Sequence, residues 1–169
     1  LGGDMLLLVG DVFDHGRVPD SVLEAFLEEI ARISQPAVLL PGNHDLYDDN
    51  SLYQREVFQH KPDNLHIITQ TDGEALSFPE LTLDVWGRAM VSHTPAFRPL
   101  EGMPTQRNGH WMVALAHGHF HFDDDRDQRS SPIYPPEIAA APCDQNLCQH
   151  CAAIIEPVGW FREAPALRR

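Results

Sequence analysis

The run MLLLVG (5–10) is apolar up to its glycine, the pattern of a strand buried on both faces. From Val18 to Ser34 the pattern changes. Val22, Leu23, Phe26, Leu27, Ile30 and Ile33 recur at three- and four-residue spacing, which predicts an amphipathic helix. Asp20 or Ser21 can cap its start, and Pro36 lies beyond its end. PAVLLPG (36–42) is a second apolar strand. Strand, helix and strand over this length predict a βαβ unit whose two strands run parallel.

Further on, SLYQREVFQ (51–59) suits a short helix and LHIIT (65–69) another strand. ALSF and LTLDVWG, split by Pro79 and Glu80, read as a hairpin. Residues 92–110 carry three prolines and two glycines and predict a long surface loop. HWMVALAHG (110–118) is a strand again, DDDRDQRSSP (123–132) a polar loop, and PPEIAAA (135–141) a short helix with prolines at its start. Alternating strands and helices define an α/β domain, taken here as residues 1–144, with a tail of different character over 145–169.

Composition narrows this picture only in places. A chain of 169 residues suits one domain that needs no covalent staple. The formal net charge is −13, from 12 basic and 25 acidic residues, and Lys and Arg form no run. That argues against binding of a phosphate backbone by basic side chains alone, although bound metal ions can supply the missing positive charge. Cys143, Cys148 and Cys151 are odd in number and crowded together, which is no disulfide framework. With no signal peptide and no apolar run of membrane-spanning length, a reduced cytoplasmic setting and no membrane partner are expected. The chain opens with Leu1 and enters a strand almost at once, as expected of a piece whose parent begins further upstream.

The chemistry sits where the strands end. GDVFDHG (10–16) follows the first strand and GNHDLYDD (42–49) the second. Parallel strands end on one edge of a sheet, and open α/β sheets bind ligands there. Asp11, Asn43 and His44 should therefore converge. A carboxylate, an amide oxygen and an imidazole suit a divalent ion such as Mn, Zn or Fe rather than Ca. Alone, GDVFD reads as a strand-to-helix turn and GNHD as a tight turn; as a pair, each after an apolar strand, they are hard to explain that way. Asp14 and His15 suit loop hydrogen bonding.

GDVFDHG and GNHD, in this order and spacing, resemble the second and third motif blocks of the calcineurin-like metallophosphoesterases, over about residues 4–144. GDVFDHGRVPD before a helix is also similar to the nuclease subunit of bacterial double-strand-break repair complexes. The resemblance implies a sandwich of mixed sheets flanked by helices, two divalent metal ions (Mn, Zn or Fe) and hydrolysis of a phosphoester. It implies that Asp11 bridges the metals, that Asn43 binds the second, and that His44 acts at the leaving-group oxygen or on the transition state. Asp45 would orient the His44 ring, a common supporting role. His117, ending VALAHG, matches the family's lone strand-end histidine, and a third strand would deliver it to the same sheet edge. DNA and an ATPase partner subunit are implied only by the nuclease likeness.

Some family features are not matched. The Asp-x-His block would lie before residue 1, so weak activity is expected of this stretch alone. GHFH (118–121) mimics the last block, Gly-His-x-His, but comes early, so His119 and His121 are expected at a solvent-facing strand exit. At 143–157, where that block belongs, His150 has no partner histidine, and one Cys-x-x-Cys is a weak zinc signal. Two other readings stay open: a small-molecule phosphodiesterase, and an inactive interaction module on the same fold.

Overall fold

The computed structural model describes residues 3–105, 109–122, 125–126 and 129–142, and the backbone of 145–149 and 153–155. The order is β1 (Leu6–Val9), α1 (Asp20–Ala31), β2 (Ala37–Leu40), a 3-10 turn at Leu52–Gln54, α2 (Glu56–Gln59), β3 (Leu65–Ile67), β4 (Glu74–Phe78), β5 (Leu83–Gly87), β6 (Trp111–His117), β7 (His119–Phe120), β8 (Pro132–Ile133), α3 (Pro135–Ala140), β9 (Gln145–Gln149) and β10 (Ala153–Ile155).

The predicted βαβ unit is present. β1 and β2 run parallel, with Leu6 opposite Ala37 and Val9 opposite Leu40, and β3 adds a third parallel strand. β2 is central in this sheet and buried at every residue, whereas β1 at its edge is only half-buried, not covered on both faces as its apolar run suggested. α1 packs Leu23, Leu27 and Ile30 onto the sheet and leaves Val22 exposed. Its N-cap is Pro19, with no side-chain hydrogen bond, so Asp20 and Ser21 lie inside the first turn. Asp20 instead accepts a hydrogen bond from Arg55.

A second sheet has the order β10-β9-β6-β5-β4. β4 and β5 form the predicted antiparallel pair, β5, β6 and β9 run parallel, and β9–β10 is antiparallel. The backbone of 145–149 thus continues the sheet past residue 144, where the sequence reading closed the domain. Cys143, His150 and Cys151, with the thiol and zinc readings, lie outside the described residues, and Cys148 is described by its backbone alone.

Period-2 alternation stacks the layers. On β2, Ala37 and Leu39 face the core under α1, with Phe13, Tyr53 and Phe58. Val38 and Leu40 face the other way and meet Ile68, Val85 and Leu115 between the two sheets. On β6, Met112, Ala114 and Ala116 point outward to Trp86, Ile133 and, on α3, Ile138. The result is helix, sheet, sheet, helix: the expected mixed α/β sandwich. Among the described residues no helix is long and apolar enough to cross a membrane.

Leu23 is fully buried between α1 and the first sheet. Leu23→Ala should cost about 2–5 kcal/mol, read as a lower urea midpoint with an unchanged slope.

Candidate metal centre

Both loops that leave the first sheet are held by one carboxylate. Asp45 is 1% exposed. Its oxygens accept backbone N–H bonds from Asp11 (3.2 Å), Val12 (2.9 Å), Phe13 (3.2 Å) and Gly42 (2.6 Å), and the Tyr53 hydroxyl at 2.7 Å. Burial, and then the Asp45 carboxylate, push the Tyr53 phenol far up, so it stays a donor. The sequence reading gave Asp45 the task of orienting the His44 ring. The structure gives that task to Asp14, whose carbonyl lies 2.8 Å from His44 Nδ1. This bond, followed by the nearby Asp11 carboxylate, raises the pKa of His44 above the ordinary imidazole value. His15 Nδ1 takes the Arg17 N–H, a loop contact as expected.

Two glycines let the loops and β6 close on each other. Gly10 has φ 77°, and a Cβ there would fall 2.1 Å from His117 Nδ1. A Cβ on Gly42 would fall 2.4 Å from Asp11 N and Oδ1. Asp11 itself has φ 53°, rare for a residue with a side chain, and the Asp45 clamp holds it there. Asp11 Oδ1 then accepts the His44 N–H at 3.0 Å.

The structure brings Asp11, Asn43 and His117 together. His117 Nε2 is 2.9 Å from Asn43 Oδ1 and 3.4 Å from Asp11 Oδ2. The route differs from expectation. β6 is not a third strand of the first sheet; it belongs to the facing one. His117 shares the inward face of Val113 and Leu115, and so reaches across the gap between the sheets. It is 2% exposed on its side chain, and its Nδ1 is 3.2 Å from the Val9 carbonyl.

That last contact fixes the chemistry. A carbonyl only accepts, so Nδ1 carries a hydrogen, and Nε2 is the ring nitrogen turned to the two oxygens, Asn43 Oδ1 and Asp11 Oδ2. A ring nitrogen and two oxygens converge, an arrangement that a positive charge between them, a proton or a metal ion, holds together. Separations of about 3 Å between donor atoms are also what metal bonds of about 2.1 Å produce. The donor set therefore fits a divalent ion. Among the described residues no three His, Cys, Asp or Glu side chains gather as a metal site; the third donor here is the amide of Asn43.

His119 and His121 are not at this centre. They are half-buried rather than solvent-facing, with His119 Nε2 3.1 Å from Asp125 and His121 Nδ1 3.9 Å from the same carboxylate. The sequence reading missed Tyr53, which anchors Asp45; the apolar pattern of 51–59 could have marked it as inward-facing, but not named its partner.

A two-sheet sandwich with a carboxylate, an amide and an imidazole converging on the strand-end loops is an arrangement suited to metal-dependent hydrolysis. The calcineurin-like phosphoesterase family profile matches residues 1–140. The chain belongs to that family, whose members are metal-dependent hydrolases that generally bind two divalent ions. No curated protein matches the chain significantly.

Asp45→Ala should destabilise the fold by more than about 3 kcal/mol, since it strands several buried N–H donors, whereas Tyr53→Phe should cost about 1–2 kcal/mol. Urea unfolding of both variants checks the ranking.

Proposed function

We propose that this protein hydrolyses phosphodiester bonds, with nucleic-acid strands as substrate, at a divalent ion held by Asp11, Asn43 and His117. The observation that carries this reading is the convergence of His117 Nε2 on Asn43 Oδ1 at 2.9 Å and on Asp11 Oδ2 at 3.4 Å. A divalent ion held there would polarise a phosphoryl oxygen. The protein's own part is to fix the donors: Val9 sets the His117 tautomer, and the Asp45 clamp sets the distance between the Asp11 and Asn43 loops. His44 stands beside them, half-exposed, with its Nδ1 turned to the Asp14 carbonyl. It is suited to donate a proton to the departing oxygen, as general acids do.

Titration with Mn2+ tests the reading. The protein should take up the ion, and Asn43→Ala or His117→Ala should weaken uptake by at least about tenfold without unfolding the chain. Slow Mn2+-dependent hydrolysis of bis-p-nitrophenyl phosphate should be lost in the same variants. Wild-type protein that binds no Mn2+, or binds it equally well without Asn43, would sink the proposal.

A further inference from the structure

Beside Asn43 lies a cavity that the centre itself does not use. Its volume is about 210 Å³, and His93, Gly118, His119, Arg129 and Ser130 complete its lining. Its walls come from three distant segments locked together at Ser131. The Ser131 N–H donates to the Thr94 carbonyl at 2.8 Å, and the Ser131 carbonyl accepts the His119 N–H at 3.0 Å. A Cβ on Gly118 would fall 2.2 Å from that carbonyl, so only glycine lets the segments meet. Ser131 is fully buried and has φ 49°. Left-handed residues other than glycine are held by their surroundings, and the bonds to Thr94 and His119 hold Ser131 so.

The chemistry of this cavity is cationic. The exposed Arg129 makes no ion pair or hydrogen bond among the described residues, and neither do the side chains of Arg17 and Arg126, while Arg32, Arg55, Arg88 and Arg98 are tied to carboxylates. Two imidazoles and a serine stand with it, and among the described residues no carboxylate lines the space; Asp125 is engaged by His119 and by the Phe122 N–H. In a chain of net charge −13, a guanidinium on the wall of a cavity that Asn43 also lines is suited to an anionic guest. The opposite flank also holds an arginine and two imidazoles (Arg17, His15 and His44), but there Asp48 and the apolar Leu46 and Leu52 stand with them. Size narrows the guest further. Pockets that swallow drug-sized ligands run to about 300–1,000 Å³, so this one suits a phosphate with part of its sugar.

We propose that the Arg129 cavity holds the phosphate next to the scissile one, so that the substrate is a nucleotide strand with a charged group on the Asn43 side. This rests on the phosphodiesterase reading above, and it adds the residues that tell a strand from a single phosphoester. A guanidinium is suited to the task, because its planar fork can engage two phosphate oxygens at once.

The test is binding, so that it does not depend on turnover. Fluorescein-labelled oligothymidylate is titrated with the protein in EDTA between 50 and 200 mM salt, followed by anisotropy. Arg129→Ala should weaken binding several-fold and flatten the salt slope by about 0.7, one single-strand phosphate contact. Arg129→Lys should recover part of the slope, because it keeps the charge. Arg126→Ala, on the same loop but outside the cavity lining, should change neither. The dinucleotide pTpT should displace the probe at lower concentration than thymidylate or thymidine triphosphate. An unchanged slope in Arg129→Ala, an equal loss in Arg126→Ala, or better displacement by the triphosphate would overturn the assignment. Mn2+ uptake, measured separately, keeps the two proposals apart: uptake that survives while the Arg129 effect is absent removes only the cavity, and the reverse removes only the metal centre.

Discussion

The site depends on the buried carboxylate of Asp45. Its two oxygens gather N–H groups from the loop after β1 and the loop after β2, and Tyr53 closes the set from beneath. Each such bond to a charged acceptor contributes about 1.5–3 kcal/mol, and an unpaired carboxylate in that position would be costly. The clamp does more than stabilise. It holds Asp11 in a left-handed conformation that its own side chain disfavours, and it sets the spacing between Asp11 and Asn43. Every other distance at the candidate metal centre is measured from that pair.

A second constraint is the parity of β6. Because side chains alternate across a strand, placing Leu115 in the core between the sheets also aims His117 inward. Gly10 then admits the imidazole where any Cβ would block it. The centre is thus a joint between two sheets, with loops from one and a strand end from the other. Packing between Leu40, Val85 and Leu115 and ligand geometry are coupled: anything that slides one sheet over the other moves His117 away from Asn43. The two flanks of the candidate centre differ in lining, Arg129 with His93 and His119 on one side and Arg17 with Asp48 and leucines on the other.

Much of the fold was legible in the chain. The apolar runs, the helical spacing from Leu23 to Ile30 and the break between Phe78 and Leu83 each mark an element that is present. The errors are informative. β1 looked fully buried because a run of leucines does not say whether its strand is central or at an edge. The cap of α1 was expected at Asp20 or Ser21, but it falls on Pro19, and Arg55, distant in sequence, engages the Asp20 side chain. QNLCQ lacks the apolar pattern of a strand, yet its backbone pairs along β6, where in-register neighbours outweigh weak local preference. Asp45 was assigned to His44 by likeness, whereas five donors claim its oxygens.

By itself the sequence determined that Asp11 and Asn43 lie side by side, because adjacent parallel strands joined through a helix must end on one edge, and the apolar patterns specify those strands locally. Tertiary structure alone decided that His117 arrives from the facing sheet, that Asp45 binds backbone rather than imidazole, and that Arg129, Thr94 and Gly118 wall one cavity. Those outcomes join residues dozens of positions apart. They are settled by how two sheets pack and which buried polar groups find partners, and no local run of side chains encodes that choice.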